Sequence, residues 1–128
     1  MIRYEKIDVN LHVRSLEKTF EWYKEVLNWE SGCDLKNENN ECVFGDVHFS
    51  DSDEFLGFNL VRSDDEEIVP IGFHLLIKVP SEKLLNELYN QLKSKKIEIV
   101  SKLVIQSWGK NFKIKDCNGF ILEFWCEI

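Results

Sequence analysis

One strand-then-helix grammar occurs twice in this chain, and that duplication most restricts how it folds. Ile7-Asp8-Val9-Asn10-Leu11-His12-Val13 alternates strictly, with Ile7, Val9, Leu11 and Val13 on one strand face and Asp8, Asn10 and His12 on the other. Ser15 then caps a helix whose apolar positions Leu16, Phe20, Tyr23 and Leu27 recur at helical spacing until Asn28 ends the run. The grammar returns in Phe73 to Val79, followed by Pro80, a second cap at Ser81, and a helix carrying Leu84, Leu85, Leu88 and Leu92. The Lys93-Ser94-Lys95-Lys96 run places cations at that helix's C-terminus, where the dipole favours them, so it requires no phosphate site.

Each helix is followed by room for three short strands. In the first half they are expected over Glu30 to Cys33, Cys42 to Phe49 and Phe55 to Val61, with Asn37-Glu38-Asn39-Asn40 as the first turn. In the second half they are expected over Glu98 to Val104, Asn111 to Lys115 and Phe120 to Cys126, separated by Ser107-Trp108-Gly109 and Asp116-Cys117-Asn118-Gly119. The fold class is therefore α+β, two βαβββ repeats over about 1–63 and 71–128 in a single domain, joined by an acidic linker at 64–70 that ends in Pro70. Helices covering one face of each curved mixed sheet leave the opposite faces to enclose a cleft.

Composition narrows the partners. A chain of 128 residues fits one domain, and 44% hydrophobic residues suffice for a core. The net charge of −7 makes nucleic acid an unfavourable partner. The opening Met1-Ile2-Arg3-Tyr4-Glu5-Lys6 has no apolar signal core and no segment approaches a membrane span, so the expected location is cytoplasmic. Cys33, Cys42, Cys117 and Cys126 match no zinc-ribbon or CxxC spacing, and in that compartment they are expected to remain structural thiols.

Val13-Arg14-Ser15-Leu16-Glu17, then Phe20-Glu21-Trp22-Tyr23 and Val26-Leu27-Asn28-Trp29, resemble the first-helix signature of glyoxalase and bleomycin-resistance proteins in the vicinal oxygen chelate superfamily, which also includes extradiol dioxygenases. Ser107-Trp108-Gly109, Phe112, Asp116-Cys117-Asn118-Gly119 and Leu122-Glu123-Phe124 resemble its closing motifs. Three positions depart from the pattern: Ser15 replaces the usual aspartate, Asn28 a helix-ending glycine, and Cys117 a turn proline. A serine caps as an aspartate does, and asparagine tolerates the left-handed conformation.

The resemblance implies a metal site on the first and last strands of each repeat, which here means Asp8, Asn59, His74 and Glu123. Parity agrees, because Asp8 opposes the Val9 face, His74 opposes Phe73 and Leu75, Asn59 lies between Phe58 and Leu60, and Glu123 between Leu122 and Phe124. Asp8 and Asn59 stand 51 positions apart, His74 and Glu123 49. One imidazole with two carboxylates suits Ni(II), Zn(II), Mn(II) or Fe(II). The bland alternative is a hydrogen-bonded His74–Glu123 pair, with Asp8 and Asn59 holding water or a polar ligand. Asn10, His12, Trp108 and Trp125 are candidate ligand contacts, and His12 lies four residues along the strand from Asp8, about 13 Å. His48 reads as a surface or cleft-edge histidine, and Trp22 as core.

Two functions follow from the resemblance. The first is a glyoxalase-like enzyme, a lyase, isomerase or dioxygenase, in which a divalent metal chelates neighbouring substrate oxygens and Glu123 serves as ligand or base. The other is a metal-free protein that sequesters an antibiotic or other small aromatic molecule between aromatic walls, with an acidic surface suited to a cationic ligand. The histidine and carboxylate at diagnostic positions rank the enzyme first. A small-molecule substrate or ligand and a homodimer are the partners implied.

Overall fold

The computed structural model describes residues 1–49, 56–64 and 73–128. Two compact units, Met1–Ile68 and Val69–Ile128, each repeat the expected βαβββ order. The first contains β1 (Asn10–Val13), α1 (Leu16–Leu27), β2 (Glu30–Lys36), β3 (Cys42–His48) and β4 (Gly57–Arg62). The second contains β5 (His74–Lys78), α2 (Glu82–Ser94), β6 (Ile99–Gln106), β7 (Gly109–Lys115) and β8 (Ile121–Cys126). Their sheets have equivalent orders, β1-β4-β3-β2 and β5-β8-β7-β6. In each, the first strand pairs in parallel with the last and the other ladders are antiparallel.

Capping explains the helix limits. Ser15 is extended and its hydroxyl accepts from the Lys18 amide, while Asn28 adopts φ 59°, which lets its own N–H reach the Lys24 carbonyl. Ser81 caps α2 in the same way, accepting from the Leu84 amide. The buried stripe of α1 is Leu16, Thr19 and Tyr23, and that of α2 is Leu85 and Leu92. Leu84 is exposed, because it lies off the face shared by positions 85 and 92.

In the first unit, Leu11, Val13, Val47, Phe58 and Leu60 are buried, and α1 packs on β2, β3 and β4. The Tyr23 and Phe58 rings meet edge-on at 5.7 Å, with Trp29 and Phe49 extending the aromatic cluster. In the second, Tyr89 of α2 meets Phe112 at 5.1 Å, and Phe112 stacks on Phe124 at 5.3 Å. A fully buried side chain of this size contributes about 1.5–3 kcal/mol. These apolar residues take one parity of each central strand, so the opposite parity, carrying the polar residues, forms the open face.

Several limits differ from expectation. Strand β1 starts at Asn10, and Ile7 (93% exposed) and Val9 (42%) lie outside the core. Among the described residues it is an edge strand paired with β4 alone, and β4 begins at Gly57, so residues preceding Asp8 run beyond the ladder. Strand β2 continues past Cys33 to Lys36 through register shifts that accommodate the extra residues, and β6 continues past Val104 to Gln106 in regular register opposite β7, which starts two residues earlier than expected, at Gly109. Phe55 and the linker beyond Asp64 lie outside the described residues.

The expectation of four thiols is also corrected. Cys33 and Cys42 form a disulfide, their Cα atoms 6.0 Å apart across the β2–β3 hairpin. Strand pairing made them neighbours, which the absence of a CxxC spacing did not preclude. Cys117, exposed at the β7–β8 turn, and buried Cys126 keep their thiols. That turn is held by Asp116, whose Oδ1 accepts from the amides of Asn118 and Phe120, both at 2.9 Å, with Gly119 at φ 89°.

Candidate functional site

Register places the expected residues on corresponding positions of the two sheets. Asn10 stands opposite Asn59 in the first unit, and Leu76 opposite Glu123 in the second. Asp8 and His74 each precede the paired first-strand residue by two positions, so the Asp8–Asn59 and His74–Glu123 diagonals correspond.

The side chains on those diagonals behave differently. Asp8 is half-exposed and forms an ion pair with Lys6 at 3.1 Å. Asn59 turns instead to Asn10, its Nδ2 donating to Asn10 Oδ1 at 3.1 Å. Directly across β3 from Asn59 is Asp46, which binds His48 Nδ1 at 2.6 Å, and His48 Nε2 lies 3.5 Å from Glu30. His12 is exposed and stands opposite Val61. Thus His48 belongs to an ordered polar group, a role that the alternation Phe44, Asp46, His48 along β3 was capable of signalling.

Glu123 is the centre of the second unit's open face. It is only 8% exposed, and among the described residues its carboxylate has three partners. His74 Nδ1 lies 3.5 Å from Oε1, Lys113 Nζ lies 3.7 Å from the same oxygen, and Asn111 Nδ2 donates to Oε2 at 3.2 Å. Sequence reading joined His74 to Glu123 and missed Asn111 and Lys113. Their signal was the period-two polar stripe Asn111, Lys113, Lys115 between Phe112 and Ile114.

An aromatic patch adjoins this cluster. Trp125 shares the open face with Glu123, and Trp108, from the β6–β7 turn and 48% exposed, meets it edge-on at 5.8 Å. Lys78 Nζ sits over the Trp125 ring, 5.2 Å from its centroid, and also pairs with Glu127 at 3.1 Å. Aromatic surface, a buried carboxylate and ammonium groups are therefore neighbours on one sheet.

The donor set as arranged does not fit a divalent ion. The Lys113 ammonium already neutralises Glu123, and an added dication beside it would meet repulsion on the order of several kcal/mol. Asn111 occupies the second carboxylate oxygen, while in the first unit Lys6 and Asn10 engage Asp8 and Asn59. Among the described residues, no three His, Cys, Asp or Glu side chains gather as a metal-binding group. Nor is any helix among them long and apolar enough to cross a membrane.

Comparison with known proteins agrees with this architecture. A glyoxalase-related enzyme from Clostridium phytofermentans superposes with a TM-score of 0.76 at 20% identity, over 99% of this chain and 98% of that one. A glyoxylase/bleomycin resistance protein/dioxygenase domain from Frankia sp. EAN1pec gives 0.72 at 20% identity, over 99% and 100%. TnmS3, an antibiotic binding protein from Streptomyces sp. CB03234, gives 0.69 at 14% identity, over 99% and 100%. No curated protein matches the sequence. The model of the Glyoxalase/Bleomycin resistance protein/Dioxygenase superfamily matches residues 7–124, nearly the whole chain, and the chain belongs to that superfamily.

Proposed function

We propose that this protein binds a small aromatic molecule on the open face of its second unit without using a metal. The observation that carries this reading is the saturation of Glu123 by Lys113, Asn111 and His74 beside the Trp108–Trp125 pair. A carboxylate so neutralised is a poor metal ligand but a good anchor for a polar lining, and two edge-on tryptophans offer ring faces for stacking. On this reading the binding function stands ahead of the metal-assisted enzyme that came first on sequence alone. TnmS3 supports it as a protein of like fold that binds an antibiotic.

The test joins two titrations of the full chain. Calorimetry with Ni(II), Zn(II), Mn(II) and Fe(II) is expected to show no stoichiometric binding, and planar aromatic compounds are expected to quench tryptophan fluorescence. Stoichiometric metal uptake that disappears in His74→Ala and Glu123→Ala would restore the metal-assisted lyase, isomerase or dioxygenase reading, with Asp8, Asn59, His74 and Glu123 as ligands. The family resemblance further supports a homodimer, which light scattering at dilute concentration tests. A monomer would remove that assembly and leave the binding proposal intact.

A further inference from the structure

Asn111 is 3% exposed, and its side-chain oxygen is buried with no hydrogen-bond partner among the described residues. The amide's orientation follows from chemistry: Nδ2 donates to Glu123, and the flipped amide would set a carbonyl oxygen against a carboxylate. A buried acceptor left unpaired costs free energy, so an unsatisfied group of this kind calls for a physical reason. Donation to the carboxylate also polarises the amide and makes Oδ1 a stronger acceptor.

The orphaned oxygen belongs to a particular row of the sheet. Asn111 stands opposite Trp125 across the β7–β8 ladder, and Trp125 carries Trp108 at its edge and Lys78 over its ring. A planar molecule seated against these tryptophans would bring one edge toward Asn111. We infer that Asn111 is a specificity-determining residue whose Oδ1 accepts from an O–H or N–H group on the edge of an aromatic ligand, the class of phenols and aromatic amides. The inference rests on the aromatic-binding reading. Lys78 and Lys113, both near this row, favour a neutral donor over a cationic one, which departs from the cationic ligand that net charge alone suggested.

Naphthol and its methyl ether test this directly, because they share a ring system and differ in one donor. Calorimetric titration of the full chain should find naphthol bound about tenfold more tightly, the scale of one hydrogen bond to a buried acceptor. In Asn111→Leu both probes should still bind, with the preference reduced to within about twofold. Trp108→Ala should weaken both probes alike. Equal binding by the parent protein overturns the role of Asn111 while leaving the aromatic-binding reading in place, and this comparison needs no variant to fold. A preference that persists in Asn111→Leu assigns the donor, or a steric effect of the methyl group, to another residue and also overturns it. If neither probe binds, both the inference and the reading beneath it fail.

Discussion

Lys113 faces Glu123 directly across the β7–β8 ladder, its ammonium 3.7 Å from the carboxylate. On the metal-free reading proposed above, this pair places a protein cation beside the histidine and glutamate that could otherwise hold a metal. Removing that cation should expose the latent ligands. In Lys113→Met, Zn(II) or Ni(II) affinity measured by calorimetry is expected to rise at least about tenfold over the parent, because like-charge repulsion disappears while His74 and Glu123 remain. Unchanged affinity would show that Lys113 is not what opposes the ion.

Trp108 separates binding from stability. Being 48% exposed, it contributes to the fold mainly through its edge contact with Trp125. Trp108→Ala should therefore stay within about 0.5–1.5 kcal/mol of the parent in urea unfolding, yet lose about tenfold in affinity for a quenching aromatic ligand. A large stability loss with unaltered affinity would make it a packing residue.

The Cys33–Cys42 disulfide closes a short loop across the β2–β3 hairpin. Constraining a loop of this length in the unfolded chain is worth about 2–3 kcal/mol, so a dithiol reductant should lower unfolding stability by that amount. Cys33→Ser should begin at the lower value and be insensitive to reductant. Equal melts of the parent with and without reductant would contradict the constraint.

Helix termini supply a prediction remote from the site. Ser15→Ala removes the acceptor for the Lys18 amide and should cost about 1 kcal/mol in denaturant unfolding. At Asn28, where φ is 59°, alanine should be destabilising by about 1–2 kcal/mol and glycine should not. If alanine and glycine are equivalent there, the left-handed cap is not what ends α1.

Much of the architecture was legible because it depends on local periodicity. Ser15, Asn28 and Ser81 marked helix limits through hydrogen bonds that span three or four residues. The alternation in Leu122-Glu123-Phe124 put Glu123 on the face opposite the core. Strand β1 was overextended for a related reason: alternation reports which face a residue would take, whereas strand existence also requires a neighbour, and β4 begins only at Gly57.

The duplicated βαβββ order, the caps, and the facing of His74 and Glu123 were readable from the residues alone, since each follows from spacing along the backbone. What those side chains meet depends on how the strands pair. Lys113 and Asn111 reach Glu123 because β7 pairs with β8 in one particular register, Asn59 turns to Asn10 through the β1–β4 register, and Cys33 joins Cys42 because bulges in β2 bring them together. Register is set by the packing of whole sheets, and a displacement of one residue would exchange every one of these partners.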